Sequence, residues 1–165
     1  IYLFSPDDVE KYRKELNIKE HNDSTIKEDF FEFLEERDYS LSYKMPFLLA
    51  IVKHIDSIGD AKIEEVLDDY IAFYQNRLSR GLQVDRSTCP YDEKMLKDRK
   101  AVQRNMLTNP FEKFERKRFL YYSKDLSVIS MNHALFGQMK AEDWERVRKQ
   151  MREDLRKYYD GMGGV

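Results

Sequence analysis

Apolar positions along this chain recur mainly at helical spacing, and the runs they form predict a succession of helices separated by polar breaks. Behind Ser5-Pro6-Asp7-Asp8, a hydroxyl cap with a first-turn proline and two acids, Val9, Tyr12 and Leu16 form one stripe. After a break at 17–24, Ile26, Phe30, Phe33 and Leu34 share one face of a helix expected over 25–37. The stretch 45–55 is nearly continuous in apolar residues (Phe47, Leu48, Leu49, Ile51, Val52, Ile55), which predicts the most buried helix. Gly59-Asp60 ends it, and Ala61-Lys62-Ile63 reads either as a short strand or as the next helix entry. Ile63, Val66, Leu67, Tyr70, Ile71, Tyr74 and Leu78 then give the clearest periodic signal in the chain.

Residues 81–90 read as a loop, rich in small polar residues and closed by Pro90. One helix is expected over 91–108, with Met95, Val102 and Met106 on one side. Lys97, Lys100 and Arg104 fall nearly opposite them at about 100° per residue. Asn109-Pro110 stops that helix, because proline disfavours helix in the residue before it. Strands are expected over 118–122 and 128–131 around a polar turn at 123–127, with Phe119 and Tyr121 facing the core. A long helix over 140–159 turns Trp144, Val147, Met151, Leu155 and Tyr158 inward, and Gly161, Gly163 and Gly164 end it in a frayed tail. The expected fold is mainly α with a small β-hairpin. Its centre, 41–137, follows the order of a winged helix, a helix-turn-helix followed by a hairpin. Flanking it are an N-terminal helical extension (1–40) and a C-terminal helix (138–165) packing on the core.

Charge sharpens this picture. The formal net charge of −2 argues against a general polyanion binder, so local sign matters more. Residues 1–40 are acidic (Asp7, Asp8, Glu10, Glu28, Asp29, Glu32, Glu35, Glu36), whereas 94–118 is basic. A basic face on an acidic body is the footprint expected of nucleic-acid binding. In winged helices the third helix enters the major groove and the wing meets the backbone or minor groove. Lys97, Lys100, Arg104, Arg116, Lys117 and Arg118 are accordingly the candidate phosphate contacts. Two readings compete with this one: solvation of an ordinary helix face, and docking of a protein. The loop at 81–90 is also long for a tight helix-turn-helix.

Catalytic chemistry finds little support. Asp92 with Glu115-Arg116-Lys117 superficially matches a metal-nuclease pattern, but that chemistry needs carboxylates on adjacent strands, and Asp92 opens a helix. His21, His54 and His133 lack partners at metal-ligand spacing, and no glycine-rich phosphate loop is present. No enzyme activity and no cofactor are therefore expected of these residues. Cys89 is alone, which excludes an internal disulfide and points to a reducing, cytoplasmic setting. No apolar run reaches the roughly 20 residues that span a bilayer, and no signal peptide is visible. Ile1 in place of a start methionine predicts a piece of a longer polypeptide, the remainder of which would be its first partner.

Three stretches carry a family likeness: Phe33-Leu34-Glu35-Glu36-Arg37-Asp38-Tyr39-Ser40-Leu41-Ser42-Tyr43-Lys44-Met45, Asp68-Asp69-Tyr70-Ile71-Ala72-Phe73-Tyr74, and Asn109-Pro110-Phe111-Glu112-Lys113-Phe114. They resemble the C-terminal accessory region of large bacterial superfamily-two DEAD/DEAH-box helicases of the restriction and defence type. The likeness extends from about Phe33 to Tyr159. It implies an accessory nucleic-acid-binding or positioning domain of an ATP-dependent DNA helicase. ATP and Mg²⁺ would bind elsewhere in the full-length protein, since none of the family's ATPase motifs falls here. Two alternatives stand beside it. One is a protein-docking module, motivated by the aromatic segment Phe30, Phe31, Phe33 and Tyr39, whose exposure would favour docking and whose burial would remove that argument. The other is a free-standing winged-helix transcription regulator, which requires a native start near Ile1 and a dimer interface.

Overall fold

The computed structural model describes residues 22–37 and 39–165, so the helix expected behind Ser5 lies outside the described residues. The fold is mainly helical with one small antiparallel sheet. Helix α1 (Ile26–Glu35) buries Phe30, Phe31, Phe33 and Leu34. Helix α2 (Lys44–His54) is buried on most of its circumference, and Pro46 is tolerated in its first turn, where an amide has no intrahelical acceptor. Strand β1 (Asp60–Lys62) follows Gly59, whose φ of +90° and close approach to the Phe136 ring (3.1 Å from where a Cβ would stand) exclude a larger residue. The ambiguous stretch at 61–63 is thus mainly strand, with Ile63 opening helix α3 (Ile63–Ser79).

The single helix expected over 91–108 is two. Asp98 breaks it: its carboxylate accepts the Ala101 amide, ending α4 (Glu93–Lys97) and capping α5 (Arg99–Thr108). Asn109 then leaves the helical conformation, the Asn109–Pro110 peptide is cis, and a short helix, α6 (Phe111–Arg116), forms where none was expected. Strands β2 (Leu120–Ser123) and β3 (Val128–Met131) make the expected hairpin. β3 also pairs with β1, giving the order β1-β3-β2, with Ala61 opposite Ile129 and Tyr122 opposite Ile129 from the other side. A short helix, α7 (His133–Gln138), and the long α8 (Ala141–Tyr158) follow.

Residues from all three expected segments share one core. Phe30 and Phe33 of α1 meet Phe119 edge-on or tilted, and Phe33 and Phe47 meet Phe114. Helix α1 is also tied to α8 by Lys27–Asp143 at 3.2 Å and by the Gln150 amide on the Leu34 carbonyl at 2.7 Å.

Two expectations about side chains fail. Tyr121 is 42% exposed, because the strand's alternation starts at buried Leu120 and turns Tyr121 outward; Phe119 is buried as expected. The tail is not frayed. Buried Arg77 donates to the carbonyls of Gln83 (2.7 Å), Gly164 (2.6 Å) and Met162 (3.0 Å), and its guanidinium lies 3.7 Å over the Tyr159 ring. A 3₁₀ turn at Asp160–Met162 results.

Candidate nucleic-acid interface

The expected basic face is carried by α4, α5 and α6, so its geometry depends on what holds those helices. Helix α5 buries only Val102 and Met106, and polar contacts to α3 supply the rest of its placement. Arg99 reaches Glu64 and Asp68 of α3, at 2.8 Å in each case. Further along, the Tyr70 and Tyr91 hydroxyls lie 2.9 Å apart, and Tyr91 donates to the Asn105 side-chain oxygen at 2.6 Å. This phenol chain links α3, the residue just ahead of the α4 cap and α5. Burial raises the Tyr70 and Tyr91 phenols well above the ordinary tyrosine range, so both remain neutral hydrogen-bond donors at physiological pH.

The six candidate contacts are all exposed, but they differ in availability. Lys97 sits on α4 and pairs with Glu93 at 3.1 Å; the break at Asp98 takes it off the helix that carries Lys100 and Arg104. Lys100 and Arg104 are one turn apart on α5 and have no ion-pair partner among the described residues. Arg116 is held by Glu112 through two bonds, 3.0 and 2.6 Å long. Lys117 has no ion-pair partner among the described residues. Arg118 takes a left-handed conformation (φ 62°), and its carbonyl accepts from Asn132 at 3.0 Å. With the Phe119 amide on the Phe114 carbonyl and the Arg118 amide on that of Glu115, it ends α6 and turns the chain into β2.

The structure brings Arg116 and Lys117 together in one cavity of about 230 Å³, where Lys44 and Lys113 join them. Lys97 lies apart, in a shallow recess with Asp92, Glu93 and Lys94. Lys44 and Lys113 were not among the candidate contacts, although Lys113 belongs to the basic stretch at 94–118. Lys113 had a legible signal, since it stands four residues before Lys117, but only once the stretch is known to be helical.

The nuclease-like pattern is not assembled. Asp92 is the N-cap of α4, its carboxylate accepting the Met95 amide at 2.7 Å, while Glu115 and Lys117 stand at the end of α6 rather than on a strand. His54 bridges helices, with one ring nitrogen 2.7 Å from Asp69 and the other 3.0 Å from Glu65; His133 is exposed. Among the described residues, no group of three or more potential ligands is placed to hold a metal ion, and no helix is long and apolar enough to cross a membrane.

No family model, curated protein or solved structure matches the chain.

Proposed function

We propose that this chain is an accessory nucleic-acid-binding or positioning domain, built on a winged-helix-like core and belonging to an ATP-dependent, helicase-like DNA enzyme. The element order supports the core. Helix α2, strand β1, helix α3, the α4–α5 pair, then β2, wing and β3 run in winged-helix order, with the short α6 inserted before β2, and β3 pairs with both β1 and β2. In that arrangement α5 occupies the place of the groove-entering helix. The observation that carries the function is the pair Lys100 and Arg104, exposed on α5 and without an ion-pair partner among the described residues, with Lys117 at the base of the hairpin. Long cationic side chains that reach solvent from a helix suit phosphate contact. The helicase setting comes from the sequence likeness alone, and ATP and Mg²⁺ would belong to the remainder of such a protein.

Docking of a protein through the aromatic N-terminal segment loses its motive. Phe30, Phe31 and Phe33 are at most 8% exposed, and Tyr39 is half-buried with its hydroxyl on Asp154 at 2.7 Å. Fluorescence anisotropy with duplex, forked and single-stranded DNA across a salt series tests the proposal. Binding that weakens steeply with salt, by about 0.9 log units per log unit for each duplex phosphate neutralised, supports it. Absence of binding at micromolar protein and low salt refutes it.

A further inference from the structure

The cavity between the α1–α2 connection and the α5–α6 corner joins two of the candidate phosphate contacts, Arg116 and Lys117, to two cations that groove binding does not use, Lys44 and Lys113. Among the described residues its wall carries Lys44, Lys113, Arg116 and Lys117 with the carboxylate of Glu36, and Glu112 pairs with Arg116. Lys113 and Lys117 have no ion-pair partner among the described residues, although they stand four apart, where like charges repel along a helix. Lys44 is fixed in the wall: its ammonium donates to the Phe33 carbonyl at 3.0 Å and sits 4.1 Å over the Phe33 ring. Glu112 occupies Nε and Nη2 of Arg116, which leaves the Nη1 donors of its fork uncommitted. The site is concave, and it offers two lysines without an ion-pair partner among the described residues, Lys113 and Lys117, beside a guanidinium with donors to spare.

We propose that this cavity binds a phosphate monoester, and, resting on the nucleic-acid reading above, that the monoester is the terminal phosphate of a strand. A backbone phosphodiester carries one negative charge and continues as chain on both sides, which calls for an open groove. A monoester carries closer to two charges at neutral pH and has chain on one side only, which suits a recess of about 230 Å³. The Lys113–Lys117 repulsion is then relieved by the ligand. The domain would thereby recognise a strand end, with α5 holding the adjoining duplex.

The test uses duplexes alike except for a terminal phosphate (5′, 3′ or none), read by anisotropy on the wild type and on K113Q/K117Q and K100Q/R104Q. Circular dichroism melts verify that each variant folds. The expected result is binding about tenfold tighter for one phosphorylated end, the worth of one charge-assisted contact. K113Q/K117Q abolishes that difference, whereas K100Q/R104Q weakens all duplexes alike. Salt-dependent binding that ignores the terminal phosphate overturns the cavity assignment and leaves the DNA reading intact. A titration with deoxyadenosine monophosphate, followed by thermal shift, separates the two sources. Stabilisation by the nucleotide, lost in K113Q/K117Q, without any DNA binding retains the monoester site and overturns the strand end. No response to either probe overturns both readings.

Discussion

A carboxylate as buried as Asp85 is stable only because four donors converge on it. The Ser42 amide (2.9 Å) and hydroxyl (2.6 Å), the Arg86 amide (2.7 Å) and the Tyr158 hydroxyl all point at its two oxygens. Ser42 in turn lies 2.7 Å from the Tyr74 hydroxyl and 2.8 Å from that of Tyr159, so one residue joins the loop, α3 and the chain's last helix. Replacing Asp85 by asparagine turns an amide donor toward one of these donors, and we expect a loss of about 2–3 kcal/mol in urea unfolding. No apolar period marked Asp85 or Ser42, and only the fold brings them together. At the proposed interface Glu112 is the residue that holds Arg116. Glu112→Gln removes the charge that holds Arg116, and DNA affinity should rise by a few-fold, about the worth of a surface ion pair. Unchanged affinity in the same titration would show that Arg116 makes no phosphate contact.

Helices long enough to show a period were legible, and the short ones were not. Residues 26–35, 44–54, 63–79 and 141–158 form helices close to where their apolar spacing placed them. Helix α6 has room for only one repeat, Phe111 and Phe114, and Asn109-Pro110 reads as a stop; it folds because those two rings find Phe47 and Phe33. Asp98 was equally hidden, since an aspartate in a charged helix and an aspartate capping the next one look the same in sequence. The Tyr121 error has a parity origin. Left-handed Arg118 sets Phe119 into the core ahead of the strand, and a one-residue offset turns every second side chain to the opposite face. Arg77 shows that an element can depend on one side chain. Arg77→Met keeps much of the buried volume and removes three hydrogen bonds to carbonyls. We expect about 2–3 kcal/mol of destabilisation, with amide exchange at 160–164 accelerating before the rest of the chain.

Across the whole molecule, the core is rich in aromatic rings, and the few charged groups buried in it, Arg77, Asp85 and Asp154 among them, are held by hydrogen bonds. Burial raises the phenols of Tyr43, Tyr70, Tyr74, Tyr91, Tyr158 and Tyr159, and for Tyr158 the Asp85 carboxylate raises it further. The folded protein thus holds protons that the unfolded chain releases from about pH 10 upward. The stability linked to these groups is fully present below that pH and is lost as pH climbs toward the folded-state values. Tyrosinate absorbance should therefore rise for the buried phenols together with loss of helix by circular dichroism. A rise completed while the helix signal is intact would contradict this.

The central claim is that exposed cations on α5 and at the base of the hairpin contact nucleic-acid phosphates. Its most direct measurement is the slope of log affinity against log salt for duplex DNA, wild type against K100Q/R104Q/K117Q. If each of the three cations neutralises one phosphate, the wild-type slope is steeper by about 2.7, three times the single-contact value. Equal slopes in a folded variant would contradict the claim.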